Sequence, residues 1–189
     1  MTLDYYIVNA FSTGAFTGNP AAVCPLESWL PKTILQQIAE QNNLSETVFF
    51  VKDGKQFHIR WFTPTTEVPL CGHATLAAAY ILYTELNYPT KDTIIFNSLS
   101  GPLTIYKTDD IYTLNFPSDI LSNSEYPPVL KNAFNNKPIA WGKGKPFFFV
   151  ELETEEEVIR LQPDIASLKR IDAAGVIITA KGKDVDFVS

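Results

Sequence analysis

What the chain lacks narrows its class first. Its 189 residues include only two cysteines, Cys24 and Cys71, too few for a disulfide framework. Both sit in apolar or glycine-bearing contexts, so reduced thiols and a cytoplasmic location are expected. No apolar run approaches the roughly 20 residues that a membrane span needs. The opening MTLDYYIVNAF has no charged region leading into an apolar stretch, so no signal peptide is expected. Basic residues are outnumbered: 15 Lys+Arg against 21 Asp+Glu give a net charge of −6. Without a basic cluster, that balance argues against a nucleic-acid partner. The G-x-S-x-G elbow of a serine hydrolase is missing, and so are the glycine patterns of phosphate and dinucleotide sites. Gly142-Lys143-Gly144-Lys145 has no strand–loop–helix context and reads as a solvated turn. His58 and His73 are far apart in sequence, and neither H-x-x-x-H nor C-x-x-C spacing occurs, so no metal site is expected.

What is present is a foldable chain. Hydrophobic residues make up 46% and charged residues 19%, enough for a sizeable core and against disorder. At about 150 residues per domain the length corresponds to roughly 1.3 domains. Leu3–Ala10, Ala21–Cys24, Thr47–Val51 and Gln56–Phe62 read as strands, with a hairpin signal at Asp53-Gly54. A helix opens after Pro31 and carries Ile34, Leu35, Ile38 and Ala39 as an apolar stripe, ending near Asn42 and Asn43. Gly72–Leu86 is apolar on every side, which predicts a helix buried all round. Strands Thr93–Asn97, Gly101–Lys107 and Ile111–Phe116 follow. The Ser-, Asn-, Asp- and Pro-rich stretch Pro117–Pro128 reads as a linker. Beyond it come strands Pro138–Trp141 and Phe147–Glu151, helices Thr154–Leu161 and Asp164–Ile171, strand Val176–Ala180 and a start of another strand near Phe187. The pattern predicts an α+β chain with two lobes, 1–117 and 118–189, the second lacking an all-apolar helix and incomplete.

The candidate chemistry gathers around Cys71-Gly72-His73, where the apolar helix begins. The first N–H groups of a helix have no partner inside it, and the helix dipole favours an anion there. The Gly72–Thr75 amides therefore suit a substrate carboxylate, or they belong to an ordinary capped turn. His73 is either catalytic or a hydrogen-bonded structural histidine, and a neutral ring is expected at a helix N-terminus. Cys71 is either a thiolate activated by that helix end or a small buried apolar residue. Glu46 precedes an apolar strand; it could shuttle a proton or serve as a loop-end residue. Asn19 could bind a ligand or cap the turn before Pro20.

Several strings, in order, resemble one family. Thr17-Gly18-Asn19-Pro20-Ala21-Ala22-Val23, Asn43-Leu44-Ser45-Glu46-Thr47-Val48-Phe49, Arg60-Trp61-Phe62-Thr63-Pro64 and Glu67-Val68-Pro69-Leu70-Cys71-Gly72-His73-Ala74-Thr75 are similar to the phenazine-biosynthesis-like (PhzF-like) isomerases. The likeness continues more weakly through Gly175–Ser189. It implies a diaminopimelate-epimerase-like fold: a curled, mostly antiparallel sheet around a central apolar helix in each of two similar lobes. It also implies cofactor-independent proton transfer on a small carboxylate-bearing substrate. Glu46 falls on the family's catalytic glutamate, His73 and Gly72 on residues that position substrate, and Cys71 where related racemases keep a thiol. The family's second lobe continues into a Gly-rich motif with an acidic residue and a second central helix, which has no counterpart here. A truncated or split protein is therefore expected.

Three functions compete. The first is an isomerase with Glu46 as general acid/base, assisted by His73, with Gly72, Cys71 and Asn19 binding substrate and with no cofactor. The second is a racemase using Cys71, which would need a second thiol, Cys24 being the other one present. The third is a non-catalytic protein that pairs through exposed sheet edges as a homodimer. The expected partner of the first reading is a small carboxylate-bearing molecule, with neither nucleic acid nor membrane.

Overall fold

A computed structural model describes residues 2–88, 93–122 and 125–189. The chain divides into two compact units, Met1–Phe116 and Pro117–Ser189. Residues 123 and 124 of the expected linker lie outside the described residues.

The first unit holds one mixed sheet. Strands β1 (Tyr6–Ala10), β2 (Asn19–Leu26), β3 (Glu46–Asp53), β4 (Gln56–Phe62), β6 (Thr93–Ser98), β7 (Gly101–Thr108) and β8 (Ile111–Asn115) lie side by side in that order. The short β5 (Glu67–Val68) pairs with β4. Most neighbours are antiparallel, but β2–β3 and β4–β6 are parallel. Parallel neighbours need a crossover. Helix α1 (Lys32–Asn42) supplies the first, and α2 (Gly72–Thr84) lies in the second.

The strands alternate between two packed faces. On one face Ala21, Val23, Val48, Phe50, Phe57, Ile59 and Trp61 join the α2 residues Ala74, Ala77, Ala78 and Ile81 in the main core. On the other, Cys24, Phe49 and Phe62 meet Leu35 and Ala39 of α1. Helix α2 touches β1, β2, β3 and also β8. Since β1 and β8 are opposite ends of the sheet order, the sheet curls around α2.

Two expectations about α2 need correction. It ends at Thr84 rather than Leu86, and it is not buried all round, because Tyr80 is 41% exposed. Tyr80 lines a groove of about 770 Å³ together with Tyr6 and Phe11 on the β1 side and Tyr112 of β8. The helix is uncovered where the sheet fails to close.

The second unit carries a four-stranded sheet ordered β12 (Phe187–Val188), β11 (Gly175–Lys181), β10 (Phe147–Glu151), β9 (Ala140–Lys143). The central pair β10–β11 is parallel. Short helices α3 (Pro128–Ala133), α4 (Glu155–Ile159) and α5 (Ile165–Leu168) accompany it. Leu130, Phe148, Val150 and Leu152 are its buried centre. α3 is a helix that the sequence reading missed. Its proline texture resembles a linker, yet Pro128 sits in the first turn, where a missing N–H costs nothing. Helix α4 is shorter than the expected Thr154–Leu161; Thr154 caps it in a reciprocal box with Glu157. Helix α5 is likewise shorter than Asp164–Ile171, with Asp164 as its cap. The expected solvated turn at Gly142 is also corrected: Gly142 and Lys143 belong to β9, and a Cβ on Gly142 would approach Leu121 Cβ to 2.9 Å. Among the described residues no helix is long and apolar enough to cross a membrane.

Candidate active site

The site is assembled from two element starts. Helix α1 stops at Asn43, whose left-handed backbone (φ 50°) lets its N–H reach Ala39 O. Asparagine tolerates that conformation better than most residues. The turn delivers the chain into β3 at Glu46, which pairs with Ala21 of β2. Glu46 shares strand parity with Val48 and Phe50, both in the core around α2, so its side chain belongs to the α2 face. The other element start is that of α2 itself. Cys71 is its extended N-cap residue (φ −149°, ψ 119°) and His73 lies in the first turn.

Glu46 Oε2 is 3.2 Å from His73 Nε2, with the two side chains 18% and 10% exposed. The approach is not aligned as a hydrogen bond, and Oε2 is otherwise a buried oxygen without a partner. Ser45 Oγ lies 3.3 Å from the same His73 Nε2. It also reaches Asn19 Oδ1 and the Pro20 carbonyl, each at 3.2 Å. On the other edge of the ring, Cys71 Sγ is 3.4 Å from His73 Nδ1. Glu46, Cys71, His73 and, through Ser45, Asn19 are therefore neighbours.

Burial governs the protonation states. It pulls His73 below the ordinary histidine value, and the Glu46 charge and the Pro20 carbonyl only partly offset it. The ring is neutral at pH 7. Burial pushes the Cys71 thiol up to about 12, more than the Ala74 and His73 amides lower it, and the Glu46 charge and a side-chain hydrogen bond to Glu46 add to the rise. The expected activation of Cys71 by the helix end is thus outweighed, and the residue is a thiol. Cys24 is also pushed up to about 12 by burial. It packs in the cluster on the α1 face, whereas Cys71 belongs to the α2 face. The pair cannot act together on one carbon.

The expectation about helix amides is narrowed as well. Thr75 N–H donates to Cys71 O at 3.3 Å, closing the first turn. The His73 and Ala74 amides interact with the Cys71 sulfur. Gly72 remains the terminal amide for a ligand. A Cβ there would meet only Phe116 Cε2 at 3.5 Å, an ordinary contact, so no close approach within the chain demands this glycine.

Sequence spacing gave no sign of a metal site, but folding brings one donor atom each from Glu46, Cys71 and His73 within 4.8 Å of one another. Carboxylate, thiolate and imidazole together suit a cation such as zinc. Binding would require ionisation of Cys71 and release of its contact with His73.

Ser45 is the site residue that sequence reasoning passed over. It stands inside the Asn43–Phe49 string beside Glu46, and its hydroxyl was the available signal. The Arg60 and Glu67 strings serve another purpose. Arg60 Nε and a terminal guanidinium nitrogen donate to Glu67 Oε1 and Oε2 at 2.7 and 3.0 Å. The guanidinium also lies 5.2 Å from the ring centres of Trp29 and Phe62. This pair clamps β4 to β5, the strand that leads into Cys71.

Comparison with known proteins bears on the family and the fold. The family described as PhzC-PhzF, phenazine biosynthesis-like protein, matches residues 8–188. An uncharacterised isomerase of Pseudomonas aeruginosa is 42% identical over 189 residues, all of this chain and 72% of the relative. A crystal structure of a phenazine biosynthesis protein of the PhzF family from Enterococcus faecalis superposes with a TM-score of 0.86 at 45% identity. That match covers 99% of this chain and 72% of the other. A hydroxyproline epimerase from Agrobacterium vitis, at 10% identity and a TM-score of 0.51, covering 97% of this chain and 67% of its own, shares the fold alone. The architecture is the α+β, diaminopimelate-epimerase-like one.

Proposed function

The chain belongs to the phenazine biosynthesis-like family of isomerases and epimerases, and from that premise we propose that it moves a proton on a small carboxylate-bearing substrate without a cofactor. Glu46 is the general acid/base of this reading. The observation that carries it is the buried Glu46 oxygen that lacks a hydrogen-bond partner and faces a neutral His73 at the start of α2.

The roles follow from position. The substrate carboxylate rests on the Gly72 amide, where the dipole of α2 and the unpaired N–H favour an anion. A carbon acid gives up its proton slowly unless the charge left behind is stabilised, and fixed donors at a helix end do this without reorganising. Glu46 takes the proton and returns it to the other face or to another carbon. His73 orients the carboxyl group, and Asn19 holds Ser45 against the ring. Cys71 lines the site as a neutral thiol.

The test is solvent exchange. The protein is incubated in D2O with a panel of small carboxylic acids, and deuterium incorporation is followed by mass spectrometry. One member of the panel is expected to gain a carbon-bound deuteron. Glu46→Gln is expected to slow that exchange by about 10²–10⁴-fold, the usual contribution of a positioned acid/base. Undiminished exchange in this variant overturns the assignment. Full activity in Cys71→Ser is expected, since no thiolate takes part.

A further inference from the structure

We propose that Cys71 is a positioning residue that sets the tautomer of His73: its S–H donates to Nδ1, which leaves the ring proton on Nε2, at the edge of the ring that Glu46 and Ser45 line. The inference rests on the acid/base reading of Glu46 and His73, and it assigns the buried thiol a role other than attack.

Two proton arrangements are compatible with the heavy atoms. In one, Nδ1–H donates to sulfur and Nε2 accepts. In the other, sulfur donates and Nε2 carries the proton. The surroundings of Nε2 decide between them. Two oxygens lie against it, Glu46 Oε2 at 3.2 Å and Ser45 Oγ at 3.3 Å, and the Pro20 carbonyl, which accepts from the ring, lies 3.2 Å from that Ser45 oxygen. A carboxylate and a carbonyl can only accept. The Ser45 hydroxyl has two other acceptors at 3.2 Å, Asn19 Oδ1 and Pro20 O, so its proton is engaged away from the ring. A bare Nε2 lone pair among these oxygens would be repelled by the carboxylate. The neutral ring has one proton, and it is stabilised at Nε2. Nδ1 must then accept, and the neighbour in range is Cys71 Sγ at 3.4 Å. Thiol sulfur is a poor acceptor but carries one donor hydrogen, which the high Cys71 pKa keeps in place; that hydrogen has two acceptors, Nδ1 and the Glu46 carboxylate, and with the ring proton on Nε2 it is Nδ1 that has no other donor. A histidine nitrogen is fixed by the bond that the other nitrogen makes. Here a thiol makes that bond at the first turn of a buried helix.

The consequence for the reaction is directional. With the ring proton on Nε2, the ring edge beside Glu46 can donate but cannot compete with the carboxylate for a substrate proton. Among the described residues, Glu46 is then the base at that edge of the site.

The chain contains only two histidines, so the ring can be observed alone. His58, the other, pairs with Asp53 at the surface, 3.0 Å away. In 15N-histidine-labelled His58→Gln protein at pH 7, without substrate, long-range 1H–15N spectra report which ring nitrogen is protonated. Nδ1 is expected in the unprotonated position and Nε2 in the protonated one. Cys71→Ala is expected to move Nδ1 towards the protonated position, and Cys71→Ser, which restores an O–H donor, to return the original pattern. Circular dichroism and thermal melting confirm that each variant is folded. A protonated Nδ1 in the His58→Gln protein overturns the proposal, as does a Cys71→Ala spectrum identical to it or a Cys71→Ser spectrum identical to that of Cys71→Ala. Because no substrate is present, any of these results would leave the Glu46 exchange test standing on its own.

Discussion

Glu67 accepts from Arg60 through both oxygens and from Lys32 Nζ at 2.7 Å, while its own side chain is 9% exposed. The Arg60 hydrogen bonds, opposed by burial and helped by Lys32, lower its pKa to about 2. A depressed carboxyl stabilises the fold above its unfolded pKa, and that contribution is lost as pH falls towards 2. From the shift, the contribution at neutral pH is about 3 kcal/mol. Glu67→Gln is expected to lose about that much at pH 7 by urea unfolding, and to lose less further stability than the parent between pH 5 and 2. Equal acid sensitivity in both proteins would show that the pair is not worth its desolvation. At this scale the sequence was legible where a residue type is rare or a motif is shared: Cys71 and His73 stand out among two cysteines and two histidines, Glu46 through its string, and the chain brings the three together. The Arg60–Glu67 pair was not, because it depends on β5, a two-residue strand whose pairing with β4 no periodicity announces. Ser45 was missed because a hydroxyl is common, and what marks it is three-dimensional: Asn19 and His73 on either side of it.

Helix α2 shows how an element's sequence reports its neighbours. Ala74, Ala77, Ala78 and Ala79 are all fully buried. Small side chains on several faces let the curled sheet approach the helix closely, and they leave no room for larger ones. Ala78→Leu adds three carbons to a packed site and is expected to destabilise the protein by about 1–3 kcal/mol, measured by chemical denaturation. A neutral result would mean that the sheet can open around the helix. The apolar run made α2 readable, and its cysteine and glycine marked its start. Its exposed Tyr80 was not readable, because the gap that exposes it is set by where β1 and β8 stop, over a hundred residues apart in the chain. The opposite difficulty hid α3. Six residues give too little periodicity to recognise, and two prolines disguised a helix start as a connection.

Over the whole chain, the two-unit division follows a change in texture that the residues display openly, from apolar alternation to Ser, Asn and Pro. The mixed pairing within the first sheet was not visible. Alternation identifies strands but not their partners, and β2–β3 and β4–β6 are joined across helices rather than turns. That topology bears on how the chain is made. Helix α2 is complete at Thr84, but β8, one of the strands that cover it, ends at Asn115. A ribosome adds about 5–20 residues each second. For roughly two to six seconds the growing chain therefore carries its least polar segment without β8, one of the strands that cover it. Stalled nascent chains that expose residues up to 88 are expected to be cut readily within α2 by a low dose of protease, and those exposing residues up to 116 to resist. Equal resistance in both would mean that the five earlier strands suffice. Birth order thus leaves the start of the proposed site, His73 at the head of this helix, made before the last strand that closes around it.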